Sequence, residues 1–272
     1  MREMSEAGAA SEYWGRDGLE RAILDALAAS GKDLARLTIG DLAPADQFHG
    51  GGKPATQRLA RLAQLRPGMR VLDVGGGLGG PARTLAARFG CSVTVLDLTE
   101  SYVRAGEALT ARVNLADRVT HRVGNALALP VDGDAFDVVW TQNSGMNIAD
   151  KERLYAGFSR VLGRGGLLAL QEPMAGPVQP IVFPVMWARD ATMSFLRAPD
   201  EMRALVETAG FCPRAWEDVT AEVAGPSGGA AVPPHSIQRI VMGEALAEIT
   251  RAGQRNREEG RIVMIQAVLE RR

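Results

Sequence analysis

Lysine, histidine and cysteine are all scarce in this chain. Of 272 residues, only Lys32, Lys53 and Lys151 are lysine, only Cys91 and Cys212 are cysteine, and three are histidine. Two cysteines, both at strand-like starts, give no disulfide framework, and no His/Cys/Asp group stands at metal-ligand spacing; core thiols and no metal site are expected. The formal net charge of -1 offers no bulk attraction to nucleic acid or to an anionic membrane. Arginine carries nearly all the positive charge. With the many alanines, this reads as the coding bias of a GC-rich bacterial genome rather than as phosphate recognition. No apolar run approaches the ~20 residues of a membrane span, and Met1 to Ala10 is small and polar, unlike a signal sequence. A cytoplasmic protein is expected, with no nucleic-acid or membrane partner, and homo-oligomerisation is left open.

What the chain does have is 46% apolar residues, enough for a sizeable core in one large domain or in a core domain with a smaller cap. Its most organised stretch is Arg70 to Gly80, RVLDVGGGLGG. Val71, Leu72 and Val74 read as a strand, and Pro81 opens a helix over Ala82 to Phe89, where a proline in the first turn loses no hydrogen bond. The glycines therefore sit at a strand-to-helix crossing, where a sharp turn and close backbone approach to a ligand exclude a Cβ. Gly75, Gly77 and Gly80 satisfy G-x-G-x-x-G, a spacing that carries little weight alone in a glycine-rich chain. Asp73 just before the turn strengthens it. So does Asp97 at the end of a second strand, Ser92 to Leu96, about 20 residues on, where an acid can accept hydrogen bonds from ribose hydroxyls. An adenosyl-type ligand is expected.

The pattern D-x-G-x-G-x-G at Asp73, Gly75, Gly77 and Gly79, followed by Asp97 and by Gly124-Asn125-Ala126, resembles the class I S-adenosylmethionine-dependent methyltransferases. From Gln47 to about Phe211 the chain is similar to the small-molecule type, which includes quinone C-methyltransferases and sarcosine/dimethylglycine N-methyltransferases. The resemblance implies an α/β fold: a Rossmann-like, seven-stranded, mostly parallel sheet with the last strand antiparallel, helices on both faces, and N-terminal helical and inserted cap segments. It divides the chain into a helical cap at 1–66 and a cofactor-binding domain at 67–272 with insertions near 173–199 and 225–259. The cofactor would be S-adenosylmethionine, with S-adenosylhomocysteine as product, and the partner a small-molecule acceptor methylated on N, O or C. Asp73, Gly75, Gly76, Gly77, Gly79, Asp97, Leu98, Thr99, Asn125, Ala126, Gln142 and Asn143 are the expected cofactor residues. Relatives often carry Asp where this chain has Asn125, whose amide oxygen could still accept from an adenine amino group.

Along the chain, Leu19, Ile23, Leu24 and Leu27 have the spacing of an amphipathic helix within Ser11 to Ser30. The segment PADQFHGGGKP from Pro44 is not a P-loop, because its lysine precedes a proline and no strand comes before it. Gln47, Phe48 and His49 are instead expected to fold over the cofactor, with His49 as candidate general base. Alternating strands and helices then indicate βαβ units. The fourth strand, Phe136 to Thr141, delivers Gln142 and Asn143 to the carboxyl end of the sheet. The fifth, Leu167 to Gln171, delivers Glu172, a second catalytic candidate that could equally pair with an arginine. The proline-broken stretch from Pro173 to Pro199 supplies Phe183, Met186 and Trp187, which with Met146, Gln47 and Phe48 form the expected substrate pocket. A sixth strand at Trp216 to Val219, a loop from Gly225 to Pro234, a long helix from Ile237 to Asn256 and a last strand at Ile262 to Leu269 complete the reading. His121 reads as structural and His235 as a weaker base candidate.

Two other functions share these features. A cyclase or binding protein of the same fold would keep the cofactor residues without methyl transfer. A nicotinamide dehydrogenase shares the glycine spacing, but Asp73 within the strand and the helical segment before it speak against that.

Overall fold

The computed structural model describes Gly8 and residues 12–223 and 236–272. The remainder of the opening ten residues, the loop from Gly225 to Pro234 and the base candidate His235 lie outside the described residues. Seven strands form one sheet: β1 (Arg70–Val74), β2 (Ser92–Asp97), β3 (Val119–Val123), β4 (Phe136–Gln142), β5 (Leu162–Ala175), β6 (Phe211–Asp218) and β7 (Ile262–Arg271), in the order β3-β2-β1-β4-β5-β7-β6. β1 to β5 pair in parallel, and β7 runs antiparallel to both neighbours. The central strands are apolar on both faces because helices cover both. Val71, Leu72, Val138, Val139, Leu168 and Ala169 are completely buried.

The sheet agrees with the sequence reading in class, in strand number and in its antiparallel last strand, and departs from it in detail. β6 starts well before Trp216 and contains Pro213, which is tolerated because the strand is at an edge and its register slips between Pro213 and Ala215. The single helix expected over Ile237 to Asn256 is broken. One piece ends at Met242, Gly243 takes φ 54°, and a second runs Leu246–Glu258.

Before β1 come α1 (Leu19–Ala29), α2 (Ile39–Asp46) and α3 (Gly52–Leu62). α1 buries Leu19, Ile23, Leu24 and Leu27, each worth about 1.5–3 kcal/mol on burial. They pack with Tyr102 and Leu109 of α5 (Glu100–Arg112) and with Ile237 and Val241. The start of the chain and the segment before β7 therefore share one apolar cluster beside the sheet. α2 is tied down by a buried ion pair, Arg83 of α4 (Gly80–Phe89) to Asp46 at 2.8 Å. Arg83 also donates to Thr110, whose hydroxyl lies 3.0 Å from Nε2 of the buried His121.

Candidate active site

The carboxyl ends of β1, β2 and β4 open into a cavity of about 1740 Å3, the place where open α/β sheets bind ligands. Gly75 and Gly77, at φ 69° and 54°, carry the chain from β1 toward α4 along its wall. At Gly75 a Cβ would come 2.3 Å from that of Ser144, so only glycine fits. Gly79, expected at the cofactor, does not line the cavity. It is the residue before α4, with φ 75°, and a Cβ there would meet the His121 ring at 2.5 Å.

Two buried carboxylates flank the turn. Asp97 accepts from the Gly77 N–H at 2.9 Å and the Thr99 N–H at 2.8 Å, locking the turn to β2. Each oxygen has a further lone pair to offer a ligand. Asp73 is 1% exposed, and its Oδ2 has no partner among the described residues. Burial, with the neighbouring Asp97 charge, pushes its pKa up to about 8, and burial raises Asp97 as well. Leu98 and Thr99 also line the cavity. Thr99 stands at the expected cap position of α5 but makes no side-chain capping bond.

Asn125 and Ala126 line the cavity too, but the Asn125 amide oxygen accepts from the Leu127 N–H at 2.8 Å. That bond caps a short turn and leaves the oxygen one further lone pair for a donor in the cavity.

Gln142 and Asn143 reach the cavity from the end of β4. Gln142 is the first member of a polar row that sequence reasoning missed. It is in register with Gln171 of β5, and Gln171 with Gln266 of β7. Gln171 donates to the Gly50 carbonyl at 2.9 Å and to Asn143 Oδ1 at 3.1 Å, and accepts from Gln266 at 2.7 Å. Gln266 also donates to the Ala55 carbonyl at 3.0 Å, and Thr56 donates to Gln142 at 2.9 Å. The row fastens residues 50–56, and with them the His49 loop, onto the sheet.

His49 lines the cavity, as expected of a residue folded over a ligand. Its Nδ1 lies 3.1 Å from the Gly50 carbonyl, and its Nε2 lies 3.0 Å from Gln47 Oε1 and 3.1 Å from the Thr56 hydroxyl. Burial lowers its pKa to about 4. The ring is neutral near pH 7, a weak proton acceptor with both nitrogens engaged.

Glu172 is corrected more strongly, since it is absent from the cavity wall. Its Oε1 accepts from the Gly145 N–H at 2.9 Å, the Ser144 N–H at 3.2 Å and the Thr141 hydroxyl at 3.3 Å. Burial raises its pKa, and the nearby Lys151 charge opposes that rise. Among the described residues no arginine pairs with it. It fixes the loop carrying Met146 and Asn147.

Of the expected substrate residues, Gln47, Phe48, Met146, Met186 and Trp187 line the cavity. Phe183 does not; it packs against Val185 and Trp187 behind the wall. Trp14, Ile148 and one face of α10 (Leu246–Glu258, the tenth helix after α6 Lys151–Val161, α7 Pro199–Thr208, α8 Thr220–Val223 and α9 Ile237–Met242) also contribute, without a local sequence signal. Among the described residues no group of three or more His, Cys, Asp or Glu could hold a metal ion.

The seven-stranded sheet with its antiparallel last strand matches the fold of solved S-adenosylmethionine-dependent methyltransferases. Within it, residues 71–166 match the family described as methyltransferase domain. The chain is 34% identical over 132 residues to a glycine/sarcosine/dimethylglycine N-methyltransferase of Actinopolyspora halophila, a match covering 48% of this chain and 23% of that one. It therefore spans under a quarter of that relative's length. The solved structure of a geranyl diphosphate methyltransferase with GPP and sinefungin superposes with TM-score 0.70 at 18% identity, over 98% of this chain and 99% of that one. That of the cyclase SpnF does so with TM-score 0.71 at 18% identity, over 98% and 96%.

Proposed function

We infer that this chain binds S-adenosylmethionine and transfers its methyl group to N, O or C of a small-molecule acceptor. The observation that carries the reading is the pair of buried carboxylates on either side of the glycine turn, one with an oxygen that no group among the described residues satisfies. A buried, unpaired carboxylate is costly unless a cation or donor meets it. The ammonium group and ribose hydroxyls of an adenosyl amino acid are such partners. Asp73 would face the ammonium group, Asp97 the ribose, and Gly75 to Gly77 would lie along the ligand.

When bound, the sulfonium supplies an already activated methyl group. The task left to the protein is to hold the acceptor in line and exclude water, and alignment of that kind can be worth about 7–11 kcal/mol in the best cases. His49 contributes hydrogen bonding within the loop, and Glu172 acts as a positioning residue through Ser144 and Gly145. Residues 1–66 and the insertions near 173–199 and 225–259 form the acceptor cap in this reading. The composition supports a bacterial, cytoplasmic setting, and sedimentation would test for a homo-oligomer. No helix among the described residues is long and apolar enough to cross a membrane.

The full-length likeness to a cyclase favours one alternative: the same cofactor site without methyl transfer. Radiolabelled methyl transfer across a panel of acceptors separates the two. Labelled product supports the transferase, whereas tight binding of S-adenosylhomocysteine with no transfer to any acceptor supports the alternative.

A further inference from the structure

The cavity is larger than one ligand requires. Small-molecule pockets usually enclose about 300–1,000 Å3, against about 1740 Å3 here. Away from Asp73 and Asp97 its character changes. Trp14, Phe48, Met146, Met186, Trp187 and Ile249 supply a wall drawn from five separate parts of the chain. Trp14 and Phe48 meet edge to face at 5.3 Å, and Met186 and Trp14 belong to both apolar clusters that border the wall. Rigid rings beside flexible methionines suit a ligand of large, irregular shape.

Charge is arranged against an ionic acceptor. Arg257 is the only lysine or arginine lining the cavity among the described residues, and it is exposed. The same rim carries Asp218, Glu222 and Glu258, also exposed, so it holds more negative than positive charge. A phosphate or carboxylate head is held by convergent, bidentate cations, and this wall has none. Of the buried carboxylates that line the cavity, Asp46 is paired with the buried Arg83 at 2.8 Å and Asp73 is assigned above to the cofactor, and His49 is neutral at physiological pH.

We propose that the acceptor is a bulky, uncharged, largely apolar molecule seated on the Trp14–Phe48–Met186 wall, an assignment that rests on the cofactor reading above. A charged acceptor would give up its water here for no paired group. Trp14 and Met186 are then specificity residues, remote in sequence from the glycine turn.

The test is titration of the full chain with N-phenyl-1-naphthylamine, a neutral apolar probe that brightens when removed from water, with and without S-adenosylhomocysteine. Saturable binding is expected. Met186→Asp should weaken it about tenfold, because the probe would then bury a carboxylate. Trp14→Ala should weaken it in the same direction should Met186→Asp fail to fold. S-adenosylhomocysteine affinity should stay within about twofold in both, as expected of separate sites. Neutral apolar acceptors should displace the probe, and sarcosine and geranyl diphosphate should not. Displacement by either charged compound, unchanged probe binding in both variants, or no probe binding to a chain that binds S-adenosylhomocysteine would each overturn the proposal. A chain that binds the probe but not S-adenosylhomocysteine would overturn the cofactor reading instead, and with it the assignment of this wall to an acceptor.

Discussion

Gln171 and Asp73 sit near the same end of the sheet, at 0% and 1% exposure. The Gln171 amide donates twice, to Gly50 and Asn143, and accepts from Gln266. The Asp73 Oδ2 meets no partner among the described residues, and burial drives its pKa up to about 8. Buried polar groups are ordinarily satisfied by the protein itself. The glutamine row follows that rule and so holds structure together; the Asp73 carboxylate breaks it on the cavity wall and beside the glycine turn, and that combination marks the place kept for a ligand.

Cutting the row should have the largest effect on stability. Gln171→Leu strands the Gly50 carbonyl, Asn143 Oδ1 and a Gln266 donor, each at about 1–3 kcal/mol. Calorimetry should show Tm falling by about 2–4 °C per kcal/mol lost. An unmoved Tm would erase the contrast between the row and the carboxylates.

On the ligand side, Asp97→Ala removes charge-assisted hydrogen bonds worth about 1.5–3 kcal/mol each, so the Kd for S-adenosylhomocysteine should rise by about tenfold to a hundredfold. Some Tm loss should accompany it, because the Gly77 and Thr99 N–H groups lose their acceptor. Equal affinity in mutant and wild type would remove Asp97 from the site.

Asp73 sharpens the comparison through pH. Its folded pKa lies above the ordinary carboxylate value, so the folded protein holds a proton that the unfolded chain releases. The associated stability is fully present below about pH 4 and is lost as pH rises through about 8. Ligand-free wild type should therefore lose Tm over this range, and Asp73→Asn should flatten the profile. Parallel profiles would show that Asp73 does not titrate as described.

The smallest effects are expected at the two residues first suspected of catalysis. His49→Gln and Glu172→Gln should each keep turnover at saturating cofactor within about threefold, where loss of a true general base costs about 10²–10⁴-fold. A drop of that larger size in either would restore it as a base.

The glycine turn and the alternation of strands with helices were legible because their signals are local: apolar runs, an acid and closely spaced glycines. What was not legible depends on register and on distant packing. Gln171 and Gln266 read as interruptions in apolar strands until pairing aligns them with Gln142. Glu172 looked catalytic by its place at the end of a strand, but β5 runs on to Ala175 and turns it toward Gly145. Asn125 lines the cavity, and the bond its oxygen accepts from its own turn has no sequence signal. Trp14 and Ile249 reach the cavity only because the two ends of the chain pack together.

The central claim is that Asp73, Asp97 and the glycine turn receive an adenosyl amino acid. Isothermal titration of the full chain with S-adenosylhomocysteine and, separately, with NAD tests it most directly. Saturable single-site binding of S-adenosylhomocysteine, weakened in Asp97→Ala, and no binding of NAD is the predicted result; binding of NAD with none of S-adenosylhomocysteine would contradict it.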